Sequence, residues 1–123
     1  MEPLDIHHVS VNVSDVAENV AFYTEVLGGS VRSDRPDLGV AGAWINLGTQ
    51  EVHLIEATVP PNVGQHFAIR VGDLDDAVDG LRSKGVDVEE PFSIGSDRQT
   101  FIHDPAGNLI ELHQVGPDSS RSK

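Results

Sequence analysis

Val9, Val11 and Val13 alternate with His8, Ser10 and Asn12, and a period of two marks a strand with one buried face. The valines form the core face, so His8 lies on the opposite one. His7 shares the parity of the valines and is assigned to the core side. The pattern returns later, where Phe67, Ile69 and Val71 alternate with His66, Ala68 and Arg70. Both His8 and His66 therefore occupy the non-core faces of their strands.

A helix signal follows each strand. Asp15 and Asp73 are N-cap residues with acidic Glu18 and Asp76 three positions on, the spacing that satisfies the first free N–H groups of a helix. Val16, Val20, Tyr23 and Leu27 then recur at helical spacing, as do Leu74, Ala77, Val78 and Leu81, each series giving one apolar stripe. Gly28-Gly29 and Gly85 close the helices. Three extended segments are predicted after each helix, over 30–35, 41–47 and 51–57 in the first half and 86–92, 98–103 and 109–114 in the second. A turn over 104–108, Asp-Pro-Ala-Gly-Asn, joins the last two. Each half thus reads β-α-β-β-β.

The halves repeat one another. His8 and His66 are 58 positions apart, and so are His53 and Glu111. A shared shift makes the second half a structural copy of the first. Each copy places two potential ligands at equivalent positions, and pairing the copies can bring four donors to one point. The organisation expected is a single domain over 1–115, with module one at 6–57, a linker at 58–64 and module two at 65–115, and a disordered tail at 116–123.

Composition narrows the setting. The chain has 123 residues, a formal net charge of −12 and no cysteine, which excludes a disulfide framework and a thiolate nucleophile. So acidic a chain is a poor partner for nucleic acid or an anionic membrane. No apolar run reaches the ~20 residues of a membrane span. The start, Met1-Glu2-Pro3-Leu4-Asp5, lacks the basic and apolar regions of a signal peptide, so a cytoplasmic location is expected.

The text around the candidate ligands carries a family resemblance. His7-His8-Val9, Phe22-Tyr23 with Leu27-Gly28, His66-Phe67-Ala68, and the run from Asp104 through Asn108 into Leu109-Ile110-Glu111-Leu112 are similar to the vicinal oxygen chelate superfamily, over about residues 6–115. That superfamily includes glyoxalase I, methylmalonyl-CoA epimerase, fosfomycin-resistance enzymes, extradiol dioxygenases and bleomycin-binding proteins. The resemblance implies an α+β fold in which two tandem βαβββ modules form a curved, cup-shaped mixed sheet with helices outside. It also implies metal ligands from the first and fourth strands of each module, here His8, His53, His66 and Glu111. At His53 the chain departs from the pattern, because glyoxalase I typically has glutamate and the epimerase glutamine.

Three imidazoles and one carboxylate suit one divalent ion, with Zn, Ni, Co, Mn and Fe all compatible. Four protein ligands leave room for a substrate to chelate through two neighbouring oxygens, which the ion polarises as a Lewis acid. The function expected is metal-dependent isomerase, lyase, epimerase or dioxygenase chemistry on a small oxygen-chelating substrate. Glu111 is the only carboxylate placed to move a proton. Arg70, His113 and Arg98 are candidate substrate contacts, each with a surface role as the alternative. A homodimer is expected, because small open sheets leave exposed edges. The alternative from another class is a metal-free protein that sequesters a small molecule such as an antibiotic, which does not need four converging ligands.

Overall fold

The computed structural model describes residues 1–117. Its elements run β1 (His8–Val13), α1 (Val16–Ala21) continuing as a π-helical turn (Phe22–Val26), β2 (Ser30–Val31), β3 (Gly42–Leu47) and β4 (Gln50–Glu56). They are followed by β5 (Phe67–Arg70), α2 (Leu74–Ser83), β6 (Phe92–Ile94), β7 (Asp97–His103) and β8 (Leu109–Gln114). The strands form two four-stranded mixed sheets, ordered β1-β4-β3-β2 and β5-β8-β7-β6. The fold is α+β with tandem βαβββ connectivity, as the alternation and the caps imply.

The chain divides into two compact units, one of Met1–Pro61 with Asp104–Asn108, the other of Asn62–His103 with the chain from Leu109 onward. In the first, Val13, Tyr23, Ala43, Ile45, Val52 and Leu54 form the core. In the second, Leu74, Val78, Leu81, Ile102, Ile110 and Leu112 do so. Both expected caps form: Asp15 accepts from the Glu18 N–H and Asp73 from the Asp76 N–H, each at 3.0 Å. Gly28 and Gly85 end the helices at φ 79° and 80°, a left-handed conformation that glycine adopts without penalty.

The differences from the expected elements have local causes. The strand over 30–35 is ordered as sheet only at Ser30–Val31, because the Arg32 guanidinium turns back to Asp34 at 2.7 and 2.9 Å and Pro36 follows. The strand over 86–92 is replaced by the short Phe92–Ile94, since Pro91 has no N–H for a ladder. His7 is not in the core. It stands one residue before β1, and its side chain is 72% exposed and lies 3.6 Å from Glu51. Of the expected tail, Gly116 is buried and Pro117 exposed, and residues 118–123 lie outside the described residues.

Candidate metal centre

Period-two geometry in β4 sends Val52 and Leu54 to the core and Glu51 and His53 to the other face. The register pairs His8 with Glu51, Ser10 with His53, and Trp44 with His53. The His53 ring is therefore sandwiched, stacked on His8 at 3.8 Å and on Trp44 at 4.8 Å, with interplanar angles of 13° and 14°. Glu51 Oε1 lies 3.0 Å from His53 Nε2, and its other oxygen lies 3.3 Å from Arg32 and 3.6 Å from His7. The His53 hydrogen bond is the main reason that Glu51 is held below the usual carboxylate range, with Arg32 and His7 adding to it against the cost of desolvation.

The second unit repeats the plan with different chemistry. Ala68 pairs with Glu111 and Arg70 with His113 across β5 and β8, while β7 pairs Phe101 with Glu111 and Gln99 with His113. His66, one residue before β5, places Nε2 at 3.0 Å from Glu111 Oε1 and Nδ1 at 2.8 Å from the Gly64 carbonyl. The Gly64 carbonyl is the largest influence raising His66 above its ordinary value of 6.5; partial burial opposes it and Glu111 reinforces it. Glu111 Oε2 accepts from His113 Nδ1 at 2.6 Å, and His113 Nε2 lies 2.7 Å from Asp97 Oδ2. An open depression of ≈ 380 Å³ is lined by Ala68, Arg70, Glu111, His113 and Val115.

The four expected ligands thus appear as two pairs, His8 with His53 and His66 with Glu111. Among the described residues, no three or more His, Cys, Asp or Glu side chains gather into a group that could hold a metal ion. Arg70 and His113 share the depression with Glu111. Arg98 does not line it, and instead makes a two-pronged bond to Asp75 at 3.0 and 3.1 Å.

The His66–Glu111 pair fits a cation. Because the Gly64 carbonyl can only accept, His66 Nδ1 carries a proton, and neutral imidazole then presents a lone pair at Nε2. That lone pair faces a carboxylate oxygen, an arrangement that holds only with a proton or a metal ion between the two. Metal bonds of about 2.0–2.2 Å place adjacent donors of one ion about 3–3.4 Å apart, a range that includes the observed 3.0 Å, which is also the length of an ordinary N–H···O hydrogen bond.

Sequence reasoning missed Glu51, Trp44 and Asp97. Glu51 was within reach, since it lies two residues before His53 and so on the same face. Trp44 and Asp97 depend on cross-strand register, which no local pattern reports. Gly116 is tied to Asp97 by a 2.8 Å bond from its N–H, and a Cβ there would run into the Ser96 carbonyl. Gly116→Ala is expected to lower stability by about 1–3 kcal/mol through overpacking, measured by urea denaturation; an unchanged midpoint would refute the close approach.

The model of the Glyoxalase/Bleomycin resistance protein/Dioxygenase superfamily matches residues 5–112, and the chain belongs to this family. It is 31% identical to a lactoylglutathione lyase of Arabidopsis thaliana over 89% of its length but 44% of the relative's. The chain therefore spans less than half of that plant enzyme. Among solved structures it is similar to a glyoxalase family protein from Bacillus anthracis, with a TM-score of 0.84, 26% identity, and coverage of 93% and 97% of the two chains. It is also similar to TnmS3, an antibiotic binding protein from Streptomyces, with a TM-score of 0.78, 26% identity, and coverage of 94% and 99%.

Proposed function

We propose that the chain is a divalent-metal-dependent enzyme of the glyoxalase-like group, acting on a small oxygen-chelating substrate, with His8, His53, His66 and Glu111 as the metal ligands. The observation that supports this reading most is the His66–Glu111 contact, in which an imidazole nitrogen and a carboxylate oxygen stand 3.0 Å apart and are bridged by a proton or by an ion. A bound Zn, Ni, Co, Mn or Fe ion supplies Lewis-acid stabilisation of an enolate, alkoxide or oxyanion. Around it the chain's own residues have separable tasks. Glu111, once displaced from the ion, accepts or returns the proton. Arg70 is exposed, and among the described residues no carboxylate lies within ion-pair distance of it, so its planar fork is available to an anionic group of the substrate. His113 borders the same depression.

Protein purified without chelator is expected to carry one divalent ion per chain, and alanine at each of the four positions to remove it. Native metal content in all four variants would sink the assignment. Affinity should climb between pH 6 and 8, because the proton held by His66 competes with the ion and is held above the ordinary imidazole range. Without metal the sign reverses: protonated His66 contributes stability that is present below its unfolded value and lost as pH rises through the folded one. A metal affinity flat over that interval would argue against histidine ligation.

A homodimer is part of the proposal, since β2 and β6 are edge strands exposing Val31, Phe92 and Ile94. Light scattering that gives the 13.2 kDa monomer mass would refute it. The alternative, metal-free sequestration of a small molecule, is favoured by the likeness to TnmS3. Chelator separates the two readings: it should abolish turnover under the first and leave ligand affinity unchanged under the second.

A further inference from the structure

Glu111 is buried, yet neither of its oxygens is idle. Oε1 faces His66, and Oε2 accepts from His113 at 2.6 Å. His113 is itself fixed from behind, because Nε2 lies 2.7 Å from Oδ2 of Asp97, which is only 2% exposed. Oδ1 of the same aspartate accepts from the Gly116 N–H at 2.8 Å. The result is a continuous chain from a backbone amide through Asp97 and His113 to Glu111. Each member limits the rotation of the next, since a ring with both nitrogens bonded cannot flip without breaking two contacts. The arrangement is not required by the fold. The position equivalent to His113 in the first half, 58 residues earlier, is Ile55, and β4 forms with that isoleucine in place.

We propose that His113, held by the buried Asp97, is the positioning residue for Glu111, occupying Oε2 so that Oε1 alone is presented beside His66 to the ion. The inference rests on the metal reading above and deepens it. Outer partners of this kind fix the orientation of a ligand and set its affinity. One oxygen of Glu111 serves the ion and the other is anchored, so the carboxylate cannot swing to bind through both.

The test is Co²⁺ titration of the full chain, read by visible absorption, which reports affinity and coordination together. His113→Ala is expected to weaken Co²⁺ binding about 10- to 100-fold and to change the absorption spectrum, because the freed Oε2 can join the coordination. Two amide variants separate positioning from packing. His113→Asn keeps an N–H donor near the Nδ1 position, toward Glu111, and should restore affinity and spectrum to near wild type. His113→Gln keeps its donor near the Nε2 position, toward Asp97, and should behave like alanine. If alanine matches wild type, or if asparagine is as impaired as alanine, the positioning role is overturned while the metal site stands. Wild-type protein that takes up no Co²⁺ would overturn the metal reading and this inference with it. A metal-free readout guards against misfolded variants: the hydrogen-bonded His113 Nδ1 proton should give a far-downfield NMR signal that vanishes in Glu111→Ala. Its absence from the folded wild type would remove the contact on which the proposal stands.

Discussion

Turnover in Glu111→Gln is expected to fall by about 10²–10⁴-fold at saturating metal, the range associated with loss of a positioned proton-transfer group. Glutamine is close to isosteric and its oxygen can ligate once the amide turns toward the ion, so the fold should survive and some metal should be retained. The surroundings decide how the amide sits. His113 donates toward one oxygen of Glu111 and His66 Nε2 faces the other. The amide oxygen is thus drawn to His113, leaving the NH₂ group toward His66, where it satisfies the lone pair that an ion would otherwise use. Metal affinity should drop for that reason as well, and the two effects are separated by assaying at matched occupancy. A screen of α-hydroxyketones, hemithioacetals, catechols and phosphonates would supply the substrate. Equal turnover of wild type and variant at equal occupancy would reduce Glu111 to a passive ligand.

The pairing of the candidate ligands within each half was legible because two periodicities agree. Strand alternation put His8 and His66 on non-core faces, and the 58-residue shift linked them to His53 and Glu111. The structure pairs His8 with His53 and His66 with Glu111, each within a parallel strand pair or at its start. The supporting shell was less legible. Asp97 looks like a turn residue before a strand, and only the β7–β8 register brings it to His113. Arg98 kept two readings in the sequence for a related reason, because its partner Asp75 lies on α2 and a sequence cannot show that a strand residue reaches a helix. His7 and His66 each stand one residue before a strand; His66 keeps the strand's parity and reaches Glu111, whereas His7 is exposed and lies 3.6 Å from Glu51. Where backbone period alone fixes direction, the sequence suffices; where a contact joins separate elements, it does not.

The largest effect on stability is expected at Asp104. This carboxylate is 4% exposed and Tyr23 is fully buried, and the tyrosine hydroxyl donates to Asp104 at 2.8 Å. The same aspartate accepts from the Ala106 and Asn108 N–H groups at 3.0 and 2.8 Å and from the Asn108 side chain at 3.0 Å. It therefore organises the turn over 104–108, whose Asn108 also donates to the Asn12 carbonyl at 2.9 Å. Asp104→Ala strips four donors of their acceptor and leaves the buried hydroxyl with none, which should cost at least about 3 kcal/mol. Tyr23→Phe removes one donor and leaves the others, for about 1–2 kcal/mol. The double variant should cost less than the two singles added, because no orphaned hydroxyl remains. Strict additivity in urea denaturation would mean that the bond contributes nothing. Burial first, and then the charge of Asp104, push the Tyr23 phenol far above its ordinary value of 10.0. A raised folded value means that stability is intact below the unfolded phenol's value of about 10 and is lost as pH rises beyond it. Since the chain has one tyrosine, tyrosinate absorbance reads this directly. It should appear only as the protein unfolds, and the alkaline loss of stability should shrink in Tyr23→Phe. Tyrosinate forming in the folded protein near its ordinary value would show that the hydroxyl is neither buried nor held by Asp104.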